Sequence, residues 1–350
     1  MQQIRARIEV LDEHDLQRIH EATLTVLWRT GCRLPHRRIL DRLAARGAVV
    51  DRATATVHLP EALVVDAMTA LAGQVASPAE RFTQGVLRGR HLTVSPGNEA
   101  NIVDYRATER RRGTTTDVLQ GIALCNALSH VHSAMPLVTP GDCPAGMADV
   151  YGYYLCALYS AKPFGVYLMS PGAADAIMAL ATARYGSNAS RPGYLLEPNG
   201  ALSYDEISLE LALRFVEAGG SFHIGPMAMA GLDAPVTLAG TLVLQNAYNW
   251  IGNVIAYLWD APGSWGGGAH AVDLRSALCS FGSPNQVLLG LGAAQLGQWY
   301  GFPVSVNSAL TDACVPDFQG GFEKGVSALT ALLAGADFGA QGIVGADQAT

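Results

Sequence analysis

Two hydrophobic patterns divide the chain. Up to about residue 75, apolar residues recur at the three- and four-residue spacing of helices, and Gly31 and Gly47 end the first two of them. From Thr114 onward, short apolar runs typical of buried strands alternate with longer helical patterns. The run Val304–Val306 is one such strand, and a helical pattern follows it. This alternation predicts a parallel sheet that is covered by helices.

The number of repeated units indicates the architecture. About seven strand–helix units fit a TIM-type (β/α)8 barrel better than an open sheet. The last strand-like run is Gly342–Gly345, which leaves the presence of a final barrel unit open. We therefore predict an α/β protein with two parts. Residues 1–112 form an N-terminal helical segment with small hairpins, and residues 113–350 form the βα barrel.

Composition limits the classes of function. The 350 residues are 49% hydrophobic and 15% charged, which supports a large core. The net charge of −7 argues against a nucleic-acid partner. No uncharged apolar run reaches the length of about 18 residues that a membrane helix needs, and the start of the chain has no apolar signal core. Six cysteines without a Cys-x-x-Cys pair indicate reduced thiols in a cytoplasmic protein and no metal site.

Several motifs follow one another along the chain. They are Ile19–Leu27 with Leu59–Val64, Pro226–Gly231 with Ala234–Gly240, Asp273–Ser276 with Phe281–Pro284, and Gly301–Pro303 with Thr311–Ala313 and Pro316–Lys324. In their order and spacing these motifs resemble the trimethylamine methyltransferase family, and the resemblance covers nearly the whole chain.

The resemblance implies an enzyme that moves a methyl group from an amine to the cobalt of a separate corrinoid protein. No cofactor is then bound tightly by this chain, because the cobalamin is carried by the partner. Archaeal members that act on trimethylamine contain pyrrolysine near the region that corresponds to Val304–Asp312, where this chain has only ordinary residues. The chain therefore resembles the bacterial members without pyrrolysine, for which quaternary amines such as glycine betaine are the expected substrates. We also expect a homo-oligomer.

This chemistry makes few demands on acid–base groups. Cobalt(I) is itself a strong nucleophile, and a quaternary ammonium leaves as a neutral amine. The protein must position the methyl group, stabilise the cation and exclude water. Aromatic faces and carboxylates stabilise a methylammonium cation. We expect such residues at the carboxyl ends of the parallel strands, where ligands bind in this class of fold.

The candidate residues follow from strand ends and from the resemblance. The predicted catalytic residues are Asn307 and Asp312, which the resemblance places at the reacting centre. The predicted substrate-binding residues are Glu197, Trp265, His270, Phe281 and Asp317. Some have structural alternatives, since Trp265 could cap the barrel, and Asp312 and Asp317 could cap the following helix. Phe281 could belong to the core, and His270 could bind a substrate carboxylate or lie on the surface. His223, inside a strand, is expected in the core.

Two other functions remain open at this point. One is a different TIM-barrel enzyme, a lyase or decarboxylase that acts on a small anion. A lysine at a strand end would favour it, but Lys162 and Lys324 are poorly placed in the predicted pattern. The other is a truncated, non-catalytic homologue that binds a quaternary amine without turnover.

Overall fold

The computed structural model describes residues 7–71, 93–95, 97–104, 109–144, 146–168, 171–186 and 192–341. The predicted strand Gly342–Gly345 lies outside them. The described helices are α1 Glu13–Arg29, α2 Arg37–Ala45, α3 Glu61–Leu71, α4 Thr115–Ala127, α5 Ala148–Tyr159, α6 Pro171–Tyr185, α7 Glu206–Glu217, α8 Leu238–Leu258, α9 Pro284–Trp299 and α10 Phe318–Leu333. The described strands are β1 Cys32–Arg33, β2 Val49–Asp51, β3 Thr56–His58, β4 Thr93–Ser95, β5 Asn98–Glu99, β6 Asn101–Asp104, β7 Glu109–Arg112, β8 Leu137–Val138, β9 Gly193–Leu196, β10 Ser221–Ile224, β11 Met229–Ala230, β12 Trp265–Gly267, β13 His270–Asp273, β14 Leu278–Ser280, β15 Val304–Ser308 and β16 Phe338–Gln341.

The N-terminal segment is helical, as its sequence predicts. α1 begins after Asp12, whose carboxylate accepts the N–H of Asp15 at 2.8 Å as part of a capping box. β2 and β3 form the predicted hairpin, and β1 extends it as a third antiparallel strand. Leu27 of α1 and Val64 of α3 belong to the same buried cluster as Trp250 of α8. The segment therefore shares its hydrophobic core with the rest of the protein. None of the described helices combines the length and apolar character that crossing a membrane requires.

Parallel pairs dominate the strands that follow. β12, β15, β16 and β4 lie side by side in that order, β9 pairs with β10, and β5 pairs with β8. The predicted strand Val304–Val306 is confirmed as part of β15. Within the described residues these ladders are separate sheets, so the α/β class is established but a closed barrel is not. β4 pairs with β16, and a domain boundary at residue 112 would separate these two partners.

Two asparagines of α8 bond to the free edge of β12. Asn249 accepts the N–H of Gly266 at 2.9 Å and donates to its carbonyl at 2.9 Å, and Asn253 does the same for Ser264 at 3.1 and 2.9 Å. Four residues of helix rise about 6 Å and two residues of strand about 6.6 Å, so the two periods match. A Cβ at Gly266 would lie 2.2 Å from the carbonyl oxygen of Ile224, which explains why this position is glycine. The asparagines thus satisfy the strand edge that faces β10.

We call the gap between β10 and β12, which the two asparagines fill, the seam. Beyond it, the chain segments that follow β10 and β12 bond directly to each other. The N–H of Gly268 donates to the carbonyl of Pro226 at 3.1 Å, and the N–H of His270 donates to that of Ala228 at 2.9 Å. β11 then pairs with β13 in parallel, with Met229 opposite His270. The seam therefore closes at the carboxyl ends of the strands, where the candidate site lies.

Candidate active site

Four of the predicted site residues meet near the carboxyl ends of β12 and β15. These are His270, Phe281, Asn307 and Asp312. His270 is fully buried, and its ring centroid lies 4.7 Å from that of Phe281. Its Nε2 lies 3.3 Å from Nδ2 of Asn307. With the amide assigned in this orientation, Asn307 donates a hydrogen bond to the imidazole.

Burial determines the protonation of His270. It lowers the pKa of the imidazole to about 4, and the backbone of Ser280 and the charge of Asp312 oppose this shift only in part. The ring is therefore neutral at pH 7. A neutral ring carries no charge toward a substrate carboxylate but can still donate one N–H to it, so the suggested role of His270 stays a prediction.

Asp312 joins two loops of the candidate site. Its carboxylate accepts the Ser280 hydroxyl at 2.9 Å and the backbone N–H groups of Phe281 and Gly282 at 2.7 and 2.9 Å. Its own N–H donates to Glu323 of α10 at 2.9 Å. Three donors contact this carboxylate, which gives Asp312 a positioning role, and its predicted catalytic role stays a prediction. It holds Phe281 against His270.

Trp265 lies in the core and not at the mouth of the site. Only 2% of it is exposed, and its ring lies 4.9 to 5.7 Å from the rings of Trp250, Tyr300 and Phe302. A Cβ at Gly297 of α9 would lie 2.4 Å from the Trp265 side chain, so the indole faces the helix layer. The predicted place of Trp265 in a substrate cage is therefore corrected to a core role.

Hydrogen bonds of Asp317 and Lys324 stabilise the connection from β15 to α10. Asp317 is exposed and caps α10, accepting the N–H of Gly320 at 3.0 Å. The structure thus gives Asp317 a capping role, and its predicted role in substrate binding stays a prediction. Lys324 donates to the carbonyl of Ala309 at 2.6 Å, and burial lowers the pKa of its ammonium.

A second group of polar side chains lies on the β9–β10 side. Glu197 directly follows β9, His223 lies within β10, and Tyr167 precedes α6 with 39% of its surface exposed. All three reach solvent, yet burial raises the pKa of Glu197, lowers that of His223 and raises that of Tyr167 to about 12. These side chains are thus partly surrounded by protein while they remain exposed to solvent. We call this group the Glu197 face.

Two polar groups of this face have no hydrogen-bond partner among the described residues. In the described part of the chain, no hydrogen bond or ion pair reaches Glu197 or His223. The carboxylates of Glu197 and Glu99 both raise the pKa of Tyr167, which places the phenol close to two negative charges. A desolvated carboxylate without a counter-ion is costly unless a ligand supplies one.

Strand alternation and one glycine explain the position of Glu197. In β9, Tyr194 and Leu196 are buried against the core, so Leu195 and Glu197 face the other side of the sheet. On the neighbouring strand, a Cβ at Gly225 would lie 2.8 Å from Leu195 and 3.3 Å from Cγ of Glu197. The missing side chain at Gly225 leaves the space that the glutamate occupies.

Sequence reasoning identified Glu197 but missed two of its neighbours. His223 was expected to be a satisfied core residue, but the structure leaves its side chain exposed and without a hydrogen bond from the described residues. The alternation of Phe222 and Ile224, both buried, was the available signal for an opposite-facing His223. Tyr167 had only its place near the end of a predicted strand as a signal.

We searched the described residues for side chains that could hold a metal ion. In the ranges listed above, no three His, Cys, Asp or Glu side chains converge closely enough to hold a metal ion. The side chains exposed on the Glu197 face are a carboxylate, a phenol and an imidazole. Together they can bind a small cation with polar substituents.

Comparison with known proteins identifies the family. The family model for trimethylamine methyltransferase (MTTB) matches residues 1–343. The glycine betaine methyltransferase of Desulfitobacterium hafniense is 27% identical over 348 residues, which cover 97% of this chain and 72% of that protein. The trimethylamine methyltransferase MttB of the same species is 26% identical over 334 residues, with 93% and 67% covered. MttB of Methanosarcina thermophila is 27% identical over 354 residues, with 94% and 71% covered.

Solved structures agree in fold. The hydroxylamine complex of MtmB superimposes with a TM-score of 0.60 at 11% sequence identity, covering 99% of this chain and 79% of that one. The monomethylamine methyltransferase MtmB of Methanosarcina barkeri gives a TM-score of 0.59 at 11% identity, with 99% and 78% covered. Since the family model matches almost the entire sequence, the chain belongs to the trimethylamine methyltransferase family.

Proposed function

We propose that this protein transfers a methyl group from a quaternary or tertiary amine, the class that includes glycine betaine, to the cobalt of a separate corrinoid protein. Family membership supports the reaction type. The observation that carries the proposal for this chain is the Glu197 carboxylate, which is desolvated and lacks a counter-ion among the described residues. Such a group favours a bound cation.

The residues of the site have different roles in the proposed reaction. The charge of Glu197 and the ring of Tyr167 stabilise the ammonium group in a poorly hydrated space. As the methyl group passes to cobalt, the electron pair of the C–N bond stays on nitrogen, and the neutral amine needs no proton to leave. The amide of Asn307 contacts His270, and the predicted catalytic role of Asn307 remains a prediction. The acceptor cobalt is supplied by the partner protein.

We also propose that the parallel strands close into a TIM-type barrel. In support, the ladder between β16 and β4 joins the last described strand to the first of the strands that pair in parallel, as closure requires. The bonds of Gly268 and His270 to the strand after β10 bridge the seam beyond the asparagines. The Glu197 face and the cluster around His270 then line one mouth, the usual place of a site in such a fold.

Methyl transfer tests the proposed function. The purified protein is mixed with cob(I)alamin and a panel of quaternary and tertiary amines, without S-adenosylmethionine or added metal. We expect the visible spectrum to change from that of cob(I)alamin to that of methylcobalamin. Glu197→Gln should slow the transfer, whereas Glu21→Gln, an exposed change on α1, should not. Amine binding without any transfer would favour the non-catalytic homologue, and the absence of both would contradict the proposal.

A further inference from the structure

Helix α10 holds the chain segment that carries Asp312. Lys324 donates to the carbonyl of Ala309 at 2.6 Å, and the hydroxyl of Ser327 accepts the N–H of the same residue at 2.9 Å. Ala309 has a φ of 56°, in the left-handed region that residues with a side chain rarely adopt. The helix therefore holds a strained residue of this segment by both of its backbone polar groups.

Glu323 of the same helix holds the next part of the segment. One of its carboxylate oxygens, Oε2, accepts the Thr311 hydroxyl at 2.5 Å and the N–H of Asp312 at 2.9 Å. The other oxygen, Oε1, accepts the side-chain amide of Gln319 at 2.8 Å. These donors fix the carboxylate of Glu323, which in turn fixes the backbone of Asp312.

Gly282 lies against this carboxylate from the neighbouring loop. Its N–H donates to the Asp312 carboxylate at 2.9 Å, and a Cβ at this position would lie 2.1 Å from Oε2 of Glu323. The φ of Gly282 lies outside the left-handed region, so its backbone conformation alone does not require glycine. Glu323 could move away from an added Cβ only by giving up its hydrogen bonds to the loop and to α10. The position of the Glu323 carboxylate therefore explains this glycine.

The contacts continue from Glu323 to the candidate site. Asp312 accepts the N–H of Phe281 at 2.7 Å, and the ring centroid of Phe281 lies 4.7 Å from that of the buried His270. We propose that Glu323 is a positioning residue of the candidate active site. Through Asp312 it keeps the ring of Phe281 against His270, which thereby stays out of contact with water. For its meaning in catalysis this inference rests on the proposed function, because the site is the one proposed for methyl transfer.

The titration of His270 tests the inference without amine or cobalamin. It is followed by NMR of the histidine side chains and assigned with His270→Gln. Burial lowers the pKa of His270 to about 4. Glu323→Ala removes the acceptor that fixes the loop, so Phe281 should move and the pKa of His270 should rise toward its ordinary value of 6.5. Glu323→Gln keeps a carbonyl oxygen for the same donors and should keep the wild-type pKa. Asp317→Ala, which loses the cap of the same helix, is the control for a general loosening of α10 and should also keep it.

Gly282→Ala provides a second, independent variant, which also serves if Glu323→Ala does not fold. The added methyl group should displace the Glu323 carboxylate and raise the pKa of His270. Once Glu323 is already alanine, the space is free. The double variant should therefore titrate like Glu323→Ala, and Gly282→Ala should cost no further stability to urea in that background.

Several outcomes would overturn the inference. One is an unchanged pKa of His270 in folded Glu323→Ala or Gly282→Ala. Another is an equal rise in Asp317→Ala, which would show a general loosening of α10, and a third is an equal rise in Glu323→Gln. An equal loss of stability from Gly282→Ala in both backgrounds would also contradict it. Neither amine binding nor methyl transfer enters these measurements, so a failure of the proposed function would be seen separately.

Discussion

The two sides of the candidate site differ in how their carboxylates are satisfied. On the β13–β15 side, Asp312 accepts three hydrogen bonds and holds Phe281 against His270. On the β9–β10 side, Glu197 and His223 are desolvated but receive no hydrogen bond from the described residues. Satisfied groups hold a scaffold together, whereas desolvated groups without partners are available to a ligand.

Trp265→Ala should show the largest effect, and it should be an effect on stability alone. Removing a buried indole that packs on Trp250, Tyr300 and Phe302 should cost about 3–5 kcal/mol of unfolding free energy. Urea unfolding measures this loss. The affinity of the fraction that remains folded for choline, a quaternary amine, should be unchanged. If Trp265→Ala kept full stability but lost choline binding, Trp265 would be a ligand-binding residue, and the division between scaffold and binding side would be wrong.

Asp312→Ala should have the next largest effect. The change leaves the Ser280 hydroxyl and the N–H groups of Phe281 and Gly282 without their acceptor, at a cost of about 2–3 kcal/mol. The free energy of unfolding should fall more than choline affinity does. Asp317→Ala provides a matched comparison, since it loses a single helix cap and should cost about 1 kcal/mol. If Asp312→Ala instead abolishes binding at full stability, Asp312 contacts the ligand.

Glu197→Gln should reduce choline affinity and should not reduce stability. Since the carboxylate is desolvated and receives no bond from the described residues, its replacement by a neutral amide should leave the unfolding free energy at neutral pH unchanged or raise it. Choline affinity should fall about tenfold, which is about 1.4 kcal/mol. Calorimetry and urea unfolding on the same preparations give both values. A loss of stability with unchanged affinity would make Glu197 part of the scaffold.

The smallest effect expected is on pH dependence. Burial raises the pKa of folded Glu197 above its ordinary value of 4.5, so its protonated form favours folding, and this stability is lost as pH rises through the raised pKa. Choline binding needs the ionised form and should strengthen over the same interval. His223 also titrates, with a pKa that burial lowers. The difference between wild type and Glu197→Gln therefore isolates the glutamate, and identical pH profiles for the two would be inconsistent with its role.

Periodicity predicted the elements of the fold better than the directions of its side chains. The N-terminal helices and β15 follow from apolar spacing, since long regular patterns are the strongest signals in a sequence. Trp265 was misplaced because its strand has only three residues, too few for alternation to show which face is buried. Asn249 and Asn253 were missed because their partners are backbone atoms of β12, which no side-chain pattern reveals.

The site was predictable only where strand ends could be recognised. Glu197, His270, Phe281, Asn307 and Asp312 all lie near such ends, and four of them do meet. Their roles could not be read from the sequence, because the role of Asp312 depends on three donors from a loop about 30 residues away. The same limit applies to Tyr167, whose proximity to Glu197 arises from distant parts of the chain.

The most direct test of the central claim compares choline with its neutral carbon isostere, in which a tert-butyl group replaces the trimethylammonium group. The two ligands match in shape, so their affinities differ only through the cation. A cation over a desolvated ring gains about 2 kcal/mol, which corresponds to about thirtyfold in affinity. Calorimetry should show wild type preferring choline by about this factor, with a clearly smaller preference in Glu197→Gln. Equal affinity of wild type for both ligands would contradict the claim that the Glu197 face is a cation site.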